Sequence, residues 1–506
     1  SEMCIRDRFW TLQLASVYRF SSAWKPLQNL DWTTMVPLRR VKSRLISLII
    51  FAWATDGSVL QLWVGPLSSQ SNAVSFLPLG GCGEIGMNLN LFSSNNRWLM
   101  VDCGITFEQA MGDHRGRPSI QMPDPSFIAN QRDKLDGLII THAHEDHFGA
   151  VPYLWQALRC PVYATPFAAA VLRKKSAWRG SPSPEPLIEV LPGETHTIGE
   201  FDVTWLPITH STPETCALLL ETRGCRVLHT ADWKIDTRPV IGSPWSPSAW
   251  SSIAERGVDA VICDSTNATK PGRSPTEGEV GDALVKLVST LKGRVVIACF
   301  ASNVARVQSC FRAAFVSDRR VGLLGRSLEI MVRSAKNTGV FEPKVPIIDA
   351  EHLGYLPENE VLAVATGTQG EVGAALHRLM MDTHPHLSLG EGDTVIFSSK
   401  TIPGNEENVQ RLIEGLKDRG VAVVHADEVA STLHASGHPC EDELADLYRA
   451  LKPKLSIPVH GEQHHMQANA AIARANGVPL TLTGLNGDLF YLSPSPGIRR
   501  RWATTG

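Results

Sequence analysis

The sequence predicts an α/β protein in which a strand-rich core is interrupted by an inserted domain with a parallel sheet. Three observations carry this prediction. Short apolar strands end repeatedly on residues able to ligate a metal, which is a common way for a sheet edge to assemble a site. From about residue 268 to about residue 425, helices and strands alternate as βαβ units. Beyond that region the first character returns, with a loop, a helix and a strand ending at His460. At 506 residues the chain is also too long for one hydrophobic core, so two or three domains are expected.

Taken in order, residues 1–73 are set apart as an extension of doubtful origin. The chain begins at Ser1, and "SEMCIRDR" resembles translated sequencing-adapter sequence. Further on, "RRVKSR" followed by "LISLIIFAWA" (45–54) imitates a secretory signal, although the apolar run is too short to span a bilayer. Fold reasoning starts at Val74. There "VSFLPL" reads as an apolar strand, "GGCGEIG" as a glycine turn, "MNLNLF" as a period-2 strand and "RWLMVDCG" as a strand ending in Asp102. Leu138 to Ile140 form the next strand, and "FGAVPYLWQALR" reads as a helix. "FDVTWLPITH" is a strand ending at His210, "CALLLETRGCRVLHTAD" a hairpin ending at Asp232, and "VDAVICD" a strand ending at Asp264. The first part of the core therefore spans 74–267 and the insertion 268–425. The core resumes over 426–490, and 491–506 are a tail.

Hydrophobic residues make up 43% and charged residues 20%, as in ordinary soluble globular proteins. The net charge of −3 gives no global electrostatic reason to expect nucleic acid, so any such function must rest on a local site. Ten cysteines are scattered without a CxxC pair, which reads as a reduced, cytosolic chain and predicts a cytoplasmic protein. Five of the thirteen tryptophans lie in residues 1–73, and no stacking platform is predicted from the set.

The chemistry concentrates in "LIITHAHEDHFGAVPYL", residues 138 to 154, which reads His142-x-His144-x-Asp146-His147 directly after an apolar run. Such groups are costly at the end of a buried strand unless something there needs them. His210, Asp232 and His460 add three more candidates at strand ends. Histidine and carboxylate ligands suit zinc and similar divalent ions. "GGCGEIG" also spells Gly81-x-Gly83-x-x-Gly86 after a strand, which imitates a dinucleotide fingerprint. That reading requires a helix from Gly86, whereas "MNLNLFSSNNRWLMV" alternates like a hairpin. The run Arg173, Lys174, Lys175 and Arg179 offers a backbone contact for RNA, against the ordinary reading of a solvated face.

"THAHEDH", "ITHSTPET", "HTADWKID" and "VHGE" resemble successive motifs of the metallo-β-lactamase fold. "CDSTNA", "FASNVARVQ", "GTQGE", "FSSKTIPGNE" and "HASGH" resemble the β-CASP branch, most closely the bacterial ribonuclease J family, and the likeness runs from about residue 75 to 490. The resemblance implies an αββα sandwich with an inserted β-CASP domain. It implies that His142, His144 and His210 hold one divalent ion, that Asp146, His147 and His460 hold the other, and that Asp232 bridges them. Two such ions about 3.5–4 Å apart activate water and clamp a phosphate, and Asp146 counts among the catalytic residues for that reason. Zinc is the expected metal, with manganese or magnesium as alternatives.

By the same resemblance Asp102 orients a ligand histidine, and Asp264 with His438 forms a pair that protonates the leaving oxygen. His434 and Ser436 would bind phosphate, and Ser302, Asn303, Thr368 and Gln369 the RNA 5′ end or backbone. The implied activity is 5′-to-3′ exonuclease and endonuclease cleavage of single-stranded RNA with a preferred 5′-monophosphate, with no membrane involved. Competing readings are a DNA-processing member of the branch, disfavoured by His460 at the last motif; a thioesterase or lactonase, which would lack residues 268–425; and an RNA-binding subunit on an inactive scaffold, which would lack ligands. The family usually carries a further C-terminal domain associated with assembly. Nothing like it follows "GIRRRWATTG", which leaves a homodimer in doubt.

Overall fold

The computed structural model describes residues 48–53, 59–64, 73–108, 119–245, 247–426, 428, 432–493 and 496–499. Most of the 1–73 extension and most of the 491–506 tail lie outside the described residues. The chain divides into two compact units, Ser1–Ser69 and Gln70–Gly506. In the first, the strand Leu48–Trp53 pairs antiparallel with Val59–Val64, so the middle of the signal-like run is one arm of a hairpin.

The second unit contains three main sheets. In the first, Leu187–Glu189, Val162–Ala164, Leu135–Ile140 and Arg97–Val101 run parallel, and Leu89–Ser94, Val74–Gly80, Leu489–Ser493 and Gly497–Arg499 continue antiparallel. The second sheet orders Thr195–Ile198, Phe201–Pro207, Cys216–Thr222, Cys225–His229, Ala260–Asp264, Leu455–Val459 and Leu480–Thr481. Period-2 alternation sets what each face buries. Phe76, Phe92, Leu99, Val101 and Ile139 of the first sheet meet Val203, Trp205, Leu218, Val227 and Ile457 of the second in one core. Each such fully buried side chain contributes roughly 1.5–3 kcal/mol. The opposite faces take helices: Val151–Leu158 and Pro166–Arg179 on the first sheet, and Pro247–Glu255, Glu441–Leu451 and Gln463–Ala475 on the second. The result is a four-layer αββα sandwich.

The insertion leaves the second sheet after Ala260–Asp264 and returns at Leu455–Val459, and these two strands are parallel neighbours. A long excursion is therefore accommodated without disturbing the sheet. Its own six strands are all parallel, ordered Ile347–Ile348, Arg320–Leu324, Val361–Ala365, Val295–Ala298, Thr394–Phe397 and Ala422–His425. From Val295–Ala298 the chain first builds one side of the sheet, filling in Val361–Ala365 last, and then crosses to Thr394–Phe397 on the other side, so a topological switch point lies at the carboxyl end of Val295–Ala298, where such sheets form crevices. Residues 299–303, 366–369 and 398–400 follow the carboxyl ends there. Among the described residues, no helix is long and apolar enough to cross a membrane.

Candidate metal centre

Asp102, His142, His210, Asp232, Asp264 and His460 all stand at or just past strand ends on one edge of the sandwich. Reaching those positions bends the backbone. Asp102, Ala231 and His460 adopt left-handed conformations with φ of 64°, 51° and 50°. For residues other than glycine this costs of order 1–3 kcal/mol each and persists where surrounding structure imposes it. "GGCGEIG" supplies part of that support: the N–H of His460 donates to the carbonyl of Gly81, and Gly461–Glu462 pairs with Cys82–Gly83. The chain after Gly86 forms the strand Leu89–Ser94, not the helix a dinucleotide site needs.

The ligating atoms converge in two groups that share Asp232. His142, His144, His210 and Asp232 form one, and Asp146, His147, His460 and Asp232 the other; within each, the candidate atoms lie within 4.8 Å of one another. Asp232 Oδ2 is 3.2 Å from His147 Nε2, 3.6 Å from His142 Nε2 and 3.7 Å from His210 Nε2, while its Oδ1 is 3.6 Å from His460 Nε2. Asp232 Oδ1 and His460 Nε2 are buried without any hydrogen-bond partner among the described residues. Orphaned buried groups of this kind are costly unless an ion completes them. The donor set therefore fits two divalent cations.

Outer contacts fix the tautomers, assigned here from the partner each ring nitrogen faces. His147 Nδ1 donates to Asp102 Oδ2 at 2.7 Å, and His210 Nδ1 to the carbonyl of Gly437 at 2.6 Å. His142 Nδ1 lies 3.0 Å from Thr141 Oγ1, which itself donates to Asp102. His460 Nδ1 donates to Asn88 Oδ1 at 3.0 Å. In all four rings Nε2 is thereby left to face the centre. His144 is turned the other way, with Nδ1 3.1 Å from His142 Nε2 and 3.0 Å from His210 Nε2. Two glycines permit the close approach. A Cβ on Gly104 would fall 1.7 Å from the Asp146 carbonyl, and one on Gly437 would fall 2.5 Å from His210 Cε1.

Electrostatics divides the two groups. Burial drives His142 and His210 well below the ordinary imidazole range and pushes His144 down to about 4. Burial also opposes charge on His147, but the carboxylates of Asp232, Asp146 and Asp102 outweigh it and hold His147 well above that range. Metal uptake at the second group must therefore displace a proton from His147, and uptake at the first need not. Metal content measured after dialysis at successive pH values should fall in two steps as the pH drops. The Asp146–His147–His460 group empties first, and the His142–His144–His210 group, whose rings burial keeps neutral, releases its ion at lower pH.

Beside the centre, His438 Nδ1 donates to Asp264 Oδ2 at 2.7 Å and lies 3.9 Å from Asp232 Oδ2. Burial again opposes protonation, but Asp264 and Asp232 raise the His438 pKa to about 9. In the same loop, Ser436 Oγ accepts from Asn267 Nδ2 at 2.7 Å, and His434 Nδ1 has no partner among the described residues.

The more distant candidates behave differently. Asn303 caps the helix Val304–Val316 by accepting from the N–H of Arg306, and it donates to Glu277. Gln369 donates to Thr368 Oγ1 and the Lys400 carbonyl, and accepts from the N–H of Ile402. The side chains of Asn303 and Gln369 are thus engaged internally, while Ser302 stands half-buried at the same edge. Lys175 is buried and pairs with Glu145, which removes it from the exposed basic run. Asn88 and Asn267 were not singled out by sequence reasoning, because an asparagine in a short strand or turn carries no distinguishing pattern.

An αββα sandwich with an edge site for two cations and a parallel-sheet domain inserted beside it defines a metallo-β-lactamase-fold hydrolase of the β-CASP type. Family models agree: "Metallo-beta-lactamase superfamily" matches residues 88–242, "Ribonuclease J, beta-CASP domain" residues 292–416, and "Zn-dependent metallo-hydrolase RNA specificity domain" residues 428–480. Ribonuclease J of Sinorhizobium meliloti is 40% identical over 432 residues, covering 85% of this chain and 76% of the relative. Ribonuclease J of Mycolicibacterium smegmatis is 39% identical over 404 residues, covering 79% and 71%. The chain belongs to the ribonuclease J family. A crystal structure of a protein of unknown function from Enterococcus faecalis V583 shares the fold, with a TM-score of 0.59 at 15% identity over 83% of this chain and all of that one.

Proposed function

We propose that this chain is a metal-dependent ribonuclease that cuts single-stranded RNA from a 5′-monophosphate end and also internally, in bacterial RNA processing and decay in the cytoplasm. The observation that carries the reading is the convergence of two cation-binding groups on Asp232, with the protonated His438–Asp264 pair beside them, in a chain of this family. Zinc is the preferred metal on the mixed nitrogen and oxygen donor set, with manganese or magnesium as substitutes.

When bound, two divalent ions supply an activated water and offset the charge of the phosphate. The chain's own residues do the rest. Asp232 reaches both groups and fixes their separation, while Asp102, Asn88 and Gly437 hold the rings in register. His434 and Ser436 meet phosphate oxygens; the serine hydroxyl keeps its own proton to donate because its oxygen already accepts from Asn267. His438, still protonated at neutral pH, passes its proton from Nε2 to the departing oxygen while Asp264 steadies the ring through Nδ1. Ser302 and Thr368 bear on the 5′ end through their backbone N–H groups at the carboxyl edge of the inserted sheet, while Asn303 and Gln369, whose N–H groups donate to the Phe300 carbonyl and to Glu371, shape the two turns that present them.

The test uses a 3′-labelled RNA with either a 5′-monophosphate or a 5′-triphosphate, with and without chelator, and beside the His144→Ala protein. Loss of label to mononucleotide, faster from the monophosphate and abolished by chelator and by the substitution, is the expected result. Cleavage of DNA or of small esters alone, with RNA untouched, would sink the assignment. In the same assay His438→Ala should lower kcat by about 10²–10⁴-fold, the usual loss for a general acid, with metal content unchanged.

A further inference from the structure

Outside the metal centre, one cluster stands out by its exposure. Trp178, in the last turn of the helix Pro166–Arg179, is 57% exposed, and Tyr153, on Val151–Leu158, is 38% exposed. The Arg179 guanidinium lies 4.4 Å over the Tyr153 ring and 5.7 Å from the Trp178 ring. From the inserted domain, Arg326 at the start of Arg326–Asn337 lies 5.1 Å over the same Trp178 ring. Three helices thus present four planar groups, two aromatic and two guanidinium, on one surface.

We infer that this seam is a stacking platform for unpaired RNA bases, with Trp178 and Tyr153 as aromatic faces and Arg179 and Arg326 as its phosphate contacts. The inference rests on the ribonuclease reading above. Among the described residues, neither arginine has a carboxylate within 4.0 Å, whereas the nearby Arg173 is matched by Glu189 at 2.5 Å. In a chain of net charge −3, such a group of unmatched cations is a local feature with a polyanion as its complement. A second copy of the chain would bring like charges together, and an apolar ligand would leave them unsatisfied. A single strand offers both a charged backbone and free π-faces, and every base stacks regardless of sequence. The surface is also close to the chemistry. Lys175, one turn before Trp178 and Arg179, pairs with Glu145, whose chain neighbours are His144 and Asp146.

The test measures binding of the full metal-loaded chain to a cleavage-resistant phosphorothioate oligouridylate and to its abasic counterpart. Trp178→Ala should weaken binding of the oligouridylate at least about fivefold, the lower bound for losing one stacked base. Trp178→Phe should recover most of it, and the abasic strand should bind wild type and Trp178→Ala alike. Arg326→Gln should shallow the salt dependence of binding by about one phosphate contact. Equal affinity of wild type and Trp178→Ala for the oligouridylate, while wild type still cleaves RNA, would overturn the platform and leave the ribonuclease reading intact. A wild type that neither binds nor cleaves RNA would overturn both. A change in oligomeric state on Trp178→Ala, read by light scattering without loss of RNA affinity, would overturn the platform in favour of a protein occupant.

Discussion

Asp232→Ala should abolish hydrolysis, lowering kcat/KM by at least about 10⁴-fold, or roughly 5.5 kcal/mol of transition-state stabilisation. Among the described residues, Asp232 alone belongs to both cation groups: its two oxygens lie within 3.7 Å of His142, His147, His210 and His460. Burial alone would raise its pKa, yet His147, His460 and His438 hold it well below the carboxylate range, so it is ionised in the folded chain. Alanine leaves a buried cluster of imidazoles with no shared anion. Both ions are then expected to be lost, so bound metal per chain should fall from two towards zero. Asp146→Ala touches one group and should cost one ion only. Equal metal content in the wild type and the Asp232→Ala protein would refute the bridging role.

Much of this site was legible because its ligands terminate strands. An apolar run must stop where a charged group begins, so His142, His210, Asp264 and His460 mark strand ends in the text of the sequence itself. The inserted domain was legible for a similar reason, since βαβ alternation repeats with a period too regular for a loop. What stayed hidden depends on contacts across long stretches of chain. Asn88 touches Asp146 and His460, 58 and 372 positions away, from a strand that reads as ordinary alternation. The left-handed backbone at Asp102, Ala231 and His460 has no glycine to announce it. Lys175 sits in a basic run that reads as one solvated face, but the helix turns it inward to Glu145, buries the Lys174 Nζ as well, and leaves Arg173 outside. Trp178 was lost among many tryptophans until tertiary structure set two arginines against it.

Arg306 is the sharpest case, because nothing in "FASNVARVQ" marks its arginine as internal and the structure buries it completely. Its guanidinium meets both oxygens of Glu277 at 2.9 and 3.0 Å, and donates to the carbonyl of Ser398 at 2.6 Å and that of Leu433 at 3.3 Å. Burial would raise the Glu277 pKa, but Arg306 and Lys234 hold it below the usual range. The pair's contribution is therefore whole at neutral pH, and is lost only as the pH falls through that depressed value. Glu277→Ala leaves the arginine charged and unpaired and should cost about 3–5 kcal/mol in chemical denaturation at pH 7. Replacing both partners, as Glu277→Leu with Arg306→Met, removes the stranded charge and should restore much of that stability. Activity should not follow. Leu433 adjoins His434, and its carbonyl loses one of two donors that tie the loop carrying His434, Ser436 and His438 to the inserted domain; the other, Ser398 Oγ at 2.7 Å, loses the guanidinium that holds it at 2.8 Å. The double variant should therefore unfold close to the wild-type denaturant midpoint while kcat/KM for RNA stays depressed. Recovery of both together would mean that the pair only stabilises the fold and has no part in positioning that loop.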